Sequence, residues 1–255
     1  MIARMVAIAG LTLREAVRNK VFVNLGVFAG LMVAMTLMLT GLTIGQQQRI
    51  IHTVSFATLS LVGNMIAIFL GAGLIAKEIE RKTLYTIVSR PLARFELVLG
   101  RYLGMAVVLA MNTFLGGVLV LGVLGYAGWP AFANFALSLG LIFAEMLVVL
   151  AIAVLFSSFS TATLAATFTV SFFVLGRISP ELVDLAAMAR NEQLADLMRA
   201  VYTVLPNLAR LNPMDLLLHG IPPADHVVSL FLYAIGYAAM LLVGACWVFS
   251  RRDLK

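Results

Sequence analysis

The stretch KEIERKTLYTIVSRPLARFELVLGRYLG, Lys77 to Gly104, is the one internal segment dense in charge, and it lies between two long apolar runs. It holds Lys77, Arg81, Lys82, Arg90, Arg94 and Arg101 against Glu78, Glu80 and Glu96. A charge at the centre of a bilayer costs about 2.5–3.5 kcal/mol on insertion scales, so a segment this polar stays out of lipid. It is a surface set between segments that are not.

Composition says what those segments are. With 62% hydrophobic and only 12% charged residues, the chain lies far from the soluble balance and inside the polytopic membrane class. A helical span needs about 20 predominantly apolar residues. Segments 21–44, 53–76, 103–125, 134–156, 161–178 and 227–249 qualify, the fifth being the shortest. Their continuous apolar runs lack the alternation of barrel strands. The expectation is a single all-helical membrane domain over 1–255 with six spans, a helix over 1–20, a polar loop over 77–102 and a long outer segment over 179–226.

Orientation follows from the basic residues. If the N-terminus is cytoplasmic, the inner segments hold Arg4, Arg14, Arg18, Lys20, the six cations of the charged stretch, Arg251, Arg252 and Lys255. The outer ones hold only Arg49, Arg177, Arg190, Arg199 and Arg210. That bias puts both termini in the cytoplasm. The net charge of +6 is then an orientation signal and not a nucleic-acid one, since no aromatic-interleaved basic patch accompanies it. Span one is expected to act as an uncleaved anchor, and Cys246, the single cysteine, permits no intrachain disulfide.

Ahead of span one, Ile2, Met5, Val6, Ala9, Leu13, Ala16 and Val17 recur at helical spacing with Arg14, Glu15 and Arg18 on the other side. This is the pattern of an interfacial helix on the cytoplasmic leaflet. Met32, Met35 and Met38 line one face of span one; thioethers suit copper(I), but Met is also an ordinary gap-filler. In the charged stretch, Ser89-Arg90-Pro91 reads as a break and a helix start, giving a short amphipathic helix near 91–98 and re-entry at Gly100–Gly104. Such a helix suits docking into a groove on a soluble partner, although a solvated topology loop has the same composition.

Polar residues within the spans mark candidate sites. Asn64 lies mid-span in the second and Asn112 mid-span in the third. Glu145, in the fourth, is the costliest residue, and must be protonated, paired or turned to a polar cavity. A contact along a translocation path and a hydrogen bond to Asn64, Asn112 or a hydroxyl both satisfy it. The outer segment begins at Ser179-Pro180-Glu181 as a helix, continues in a second helical run near 192–205, and is broken by Pro206 and Pro213. His52, His219 and His226 fall in or near outer loops without ligand spacing, so no metal site is expected. No hydrolase or metalloprotease motif is present, and no enzyme activity is expected of this chain.

The runs Glu78 to Leu84, Ser89 to Glu96 and Gly100 to Gly104 resemble the intracellular loop of type-2 ABC exporter permeases, more narrowly the short six-span branch associated with multicopper enzyme maturation. The likeness extends to Thr12–Lys20, Phe156–Ser160 and Leu205–Pro206–Asn207, and so covers nearly the whole chain. Lys82 and Ala93 stand where many relatives have Gly and Ser. The resemblance implies a bacterial inner-membrane exporter of two permeases, a homodimer or a pseudo-symmetric heterodimer, among membrane lipids, driven by two separate ATPase subunits. It implies docking through Glu78, Glu80, Lys82, Thr83, Arg90, Pro91, Leu92, Arg94, Phe95 and Glu96, while Asn64, Asn112 and Glu145 are translocation-path candidates from their place in the spans. ATP and Mg would bind the partner: Lys20, Lys77, Lys82 and Lys255 follow Asn19, Ala76, Arg81 and Leu254, so this chain has no glycine-lysine phosphate loop. A membrane scaffold recruiting a cytoplasmic partner without transport is the alternative. Drugs, lipids, peptides and sulfur or copper species all remain open as substrates.

Overall fold

The computed structural model describes residues 2–18, 30, 47–80, 94–127, 132–188, 192–213 and 223–251. The expected first span, with Met32, Met35 and Met38, lies outside them apart from Gly30. Among the described residues the protein is all helical. Its elements are α1 (Ile2–Arg18), α2 (Gln47–Glu80), α3 (Arg94–Ala127), α4 (Phe132–Ser157), α5 (Ala162–Arg177), α6 (Ser179–Met188), α7 (Glu192–Val204), a 3-10 turn (Leu208–Leu211) and α8 (Ala224–Arg251).

Four of these helices, α2, α3, α4 and α8, are long and apolar enough to cross a membrane. The expected fifth span is α5, which at 16 residues falls short of the about 20 that a straight crossing needs. It bends by 61° into α6, and the pair passes the same length and composition test as one broken span.

Contacts give the direction of each helix. Phe56 meets Phe135 at a ring separation of 5.8 Å, Ser60 bonds Glu145 at 2.9 Å, and Ser157 Oγ donates to the Ala72 carbonyl at 3.0 Å. Positions on α2 and α4 thus advance together, so the two run parallel. Tyr102 Oη donates to the Leu147 carbonyl at 3.1 Å while a Cβ on Gly117 would meet Leu139 at 2.7 Å, so α3 runs against α4. So does α5, whose Phe168 and Phe172 pack on Phe156 near the start of the return. Phe231 beside Gly140 and Leu155 beside Gly244 make α8 parallel to α4. Direction alternates along the chain, as successive spans require.

α4 is the axis. Its most apolar window is 67% buried inside the bundle, against 22% for α8, which therefore sits at the periphery. Val148, Val149, Leu150, Ala151, Ala153 and Val154 are all fully buried. Apolar all round, α4 has no polar face to expose, which is the pattern of a helix enclosed by others. Lipid tails are as apolar as leucine, so close van der Waals contact holds such helices together. Gly71 shows how close: a Cβ there would lie 2.5 Å from the Ala153 Cβ.

Two expectations at the charged-loop end change. From Arg94 on, the expected helix near 91–98 and the re-entry at Gly100–Gly104 belong to one continuous element, since α3 starts at Arg94 and runs through both glycines, while 91–93 lie outside the described residues. Gly104 is a packing position and not a break: a Cβ on it would meet the Thr12 Cβ at 2.7 Å and the Ala9 carbonyl at 2.8 Å. This close approach, with the Arg101–Glu15 pair at 3.2 Å, sets α1 antiparallel along the first turns of α3. Thr12 is the buried contact there, and Glu15, expected on the polar side, reaches α3.

Gly71→Val should push α2 off α4 and lower stability by about 1–3 kcal/mol, the usual cost of overpacking. Gly122→Val, where nothing lies within 4 Å, should leave the unfolding temperature of detergent-purified protein unchanged. Equal melting of the two variants would contradict this packing.

Candidate functional site

Inside the bundle the polar groups of three helices meet. Ser60 and Asn64 come from α2, one turn apart; Glu145 comes from the middle of α4; Arg177 comes from the last residue of α5. Arg177 Nε donates to Glu145 Oε1 at 3.1 Å, and its Nη2 donates to Oε2 at 3.4 Å and to Ser60 Oγ at 2.6 Å. The Ser60 hydroxyl gives its one proton to Glu145 Oε2 at 2.9 Å. Asn64 Nδ2 donates to the Ser60 carbonyl at 2.9 Å and to Ser60 Oγ at 3.2 Å. Ser60 is thus the hub: it donates to the acid and accepts from the guanidinium and the amide.

Burial is unequal. Glu145 has no exposed surface, whereas the Arg177 side chain keeps 27% of its own. The guanidinium also stands 5.8 Å from the centre of the Phe173 ring, within reach of its negative face. Because α5 is antiparallel to α4 and ends early, its terminal arginine points back along the bundle to the acid. The cluster is charged at two points and neutral in sum, which is how hydrocarbon tolerates ionic groups. Asn64 Oδ1 has no hydrogen-bond partner among the described residues.

Of the translocation-path candidates, Asn64 and Glu145 fall in this cluster. Asn112 does not: it is buried on α3, and the bonds to Glu145 come from Ser60 and Arg177. Arg177 was expected as an outer-loop charge, and its guanidinium lies instead within the bundle on Glu145. Its one trace in the sequence is its place as the cation closing the shortest apolar segment; that it turns to Glu145 is decided by how α5 packs on α4.

The docking candidates divide by place. Glu78 and Glu80 lie on the last turns of α2, and Arg94 opens α3. Phe95 is exposed, whereas Glu96 is buried in the first turn of α3, where a carboxylate is favoured by the helix dipole. Lys82, Thr83, Arg90, Pro91 and Leu92 lie outside the described residues. At the other end, Leu208 and Leu211 of the 3-10 turn are fully buried, and the Asn207 amide donates to Tyr233 Oη at 2.8 Å, so the outer segment is fastened to α8. No group of His, Cys, Asp or Glu able to hold a metal occurs among the described residues.

Removing one member of a buried ion pair strands the other, at a cost of about 3–5 kcal/mol. Glu145→Gln and Arg177→Met should each lower the unfolding temperature and yield of purified protein, and the double variant should recover most of that loss. Additive losses in the double variant would mean that the two side chains do not act as a pair.

The family model of the ABC-2 family transporter proteins matches residues 6–254, almost the full length. A search of curated proteins finds no match. Within the matched range lie the four helices long and apolar enough to cross a membrane, α2, α3, α4 and α8. The chain is an integral membrane protein and belongs to the ABC-2 family of transporters.

Proposed function

We propose that the chain is the permease subunit of an ATP-driven exporter, working as two copies in a bacterial inner membrane with both termini in the cytoplasm. It would be one of the short six-span permeases, with its first crossing at 21–44 and the loop over 77–102 as the docking surface for a separate ATPase. The family match over residues 6–254 carries this reading. That family works in general with an ABC ATPase, and this chain has no phosphate-cradling loop of its own.

The geometry supplies a route for the stroke. The loop joins the end of α2 to the start of α3, and α1 is clamped to that start by the close approach at Gly104. An ATPase pressing on this end would move α2 and α3 as levers. α2 carries Ser60 and Asn64, and through them it is tied to Glu145 on α4 and Arg177 on α5. Closure of two ATPases would then rock α2, α4 and α5 together against the second copy, and change the side of the membrane to which the path opens. In this reading Arg90 and Arg94 are rim or anchor charges of the docking surface, and Leu92, Phe95 and Leu97 its apolar ridge.

The test is a mild-detergent pull-down of the tagged chain from its native cell, with mass spectrometry of co-purifying proteins. A P-loop ATPase should be recovered with the unaltered chain and lost with Arg90→Glu/Arg94→Glu. Recovery of partners without such an ATPase, unaffected by the double change, would remove both the docking surface and the transport reading.

A further inference from the structure

A cleft of about 480 Å³ lies between α3, α4 and α8, at the edge of the bundle away from the charged cluster. Ala144 of α4 and Ala234 and Ala238 of α8 line it as small residues, with Tyr102, Leu147, Phe231 and Leu242 as its larger walls. The one hydroxyl among these, that of Tyr102, is turned away to the Leu147 carbonyl at 3.1 Å, which leaves the lining almost wholly carbon. Ile235, 62% exposed, and Ala239 form the rim on the least buried of the spans, so the cleft opens sideways from the bundle.

Its length decides what fits. From Phe231 to Leu242 the cleft follows α8 for about 16 Å at 1.5 Å per residue. One leaflet of a hydrocarbon core about 30 Å thick is about 15 Å deep. An extended alkyl chain runs that depth, and hydrocarbon is what bathes this face of a spanning helix. Left empty, the walls would forfeit dispersion contacts on one side.

We propose that the cleft binds one acyl chain of a membrane phospholipid, lying along α8 at the depth of a single leaflet. The site rests on helix packing and stands apart from the transport reading. Ala238→Trp fills the cleft, whereas Val243→Trp places the same indole at an exposed α8 position outside the lining.

Native mass spectrometry of the full chain, extracted from membranes in mild detergent, counts retained phospholipid. One phospholipid per chain should survive in the unaltered protein and in Val243→Trp, and be lost in Ala238→Trp. Equal retention in all three would overturn the site. In case Ala238→Trp does not fold, the unaltered chain is also placed in nanodiscs of phosphatidylethanolamine and phosphatidylglycerol doped with a phospholipid bearing a diazirine in its acyl chain. Photolabelling should concentrate on peptides of the cleft, around 143–147 and 231–242. Labelling spread evenly over these and the exposed face of α3 around 103–114 would mean bulk lipid contact only, and would overturn the proposal.

Discussion

Glu145 and Arg177 are tolerable inside this bundle only together. Either charge alone in hydrocarbon would cost several kcal/mol, and the pair still depends on additional hydrogen bonds to complete it. Ser60 supplies them, standing between the carboxylate and the guanidinium and touching both. Because the three side chains come from three helices, satisfying them fixes how α2, α4 and α5 stand relative to one another. The early end of α5 belongs to the same constraint, since a longer helix would carry its terminal arginine past the acid. The 61° bend into α6 follows at once, at Ile178.

Around that constraint the packing is conventional for a membrane. α4, enclosed on all sides, provides the surface on which α2, α3, α5 and α8 lie, with small residues wherever backbones come close. The outer segment closes one end through Leu208 and Leu211, and α1 braces the other through Thr12 and Gly104. Between brace and closure runs a polar thread from α2 to α5. In the proposed transport reading, a push at the loop end would reach the cluster along the backbone of α2, which carries Ser60 and Asn64.

Much of this architecture was readable from residue order. The apolar runs at 53–76, 103–125, 134–156 and 227–249 each fall in a helix of spanning length and a helix starts at Ser179 as expected, whereas most of the first run and 81–93 of the polar interruption lie outside the described residues. Span ends were less legible: α2 continues to Glu80 and α3 begins at Arg94, because a helix leaving the membrane keeps its hydrogen bonds after its side chains turn polar. Gly100 and Gly104 read as the point of re-entry, and Gly104 proves to be a contact with α1, which only the neighbouring helix reveals. Glu145 announced itself by cost, and Asn64 by its depth. Their partners did not. A serine in a span most often bonds its own helix, as Thr58 and Thr169 do here, so nothing in the sequence distinguishes Ser60. Arg177 read as a loop charge because its inward reach depends on the direction of α5 against α4, which is a tertiary fact.

The central claim is that a separate ATPase acts on the loop end of this bundle and that the motion passes through α2 to the charged cluster. A cryo-electron microscopy map of the complex purified from its native membrane, in a lipid nanodisc, measures this most directly. The account predicts ATPase density against residues 77–102 and the adjoining α1, two permease copies, and continuous density from Arg177 to Glu145 and Ser60. A map with no ATPase on that end, or with the guanidinium of Arg177 turned out into the outer loop, would contradict it.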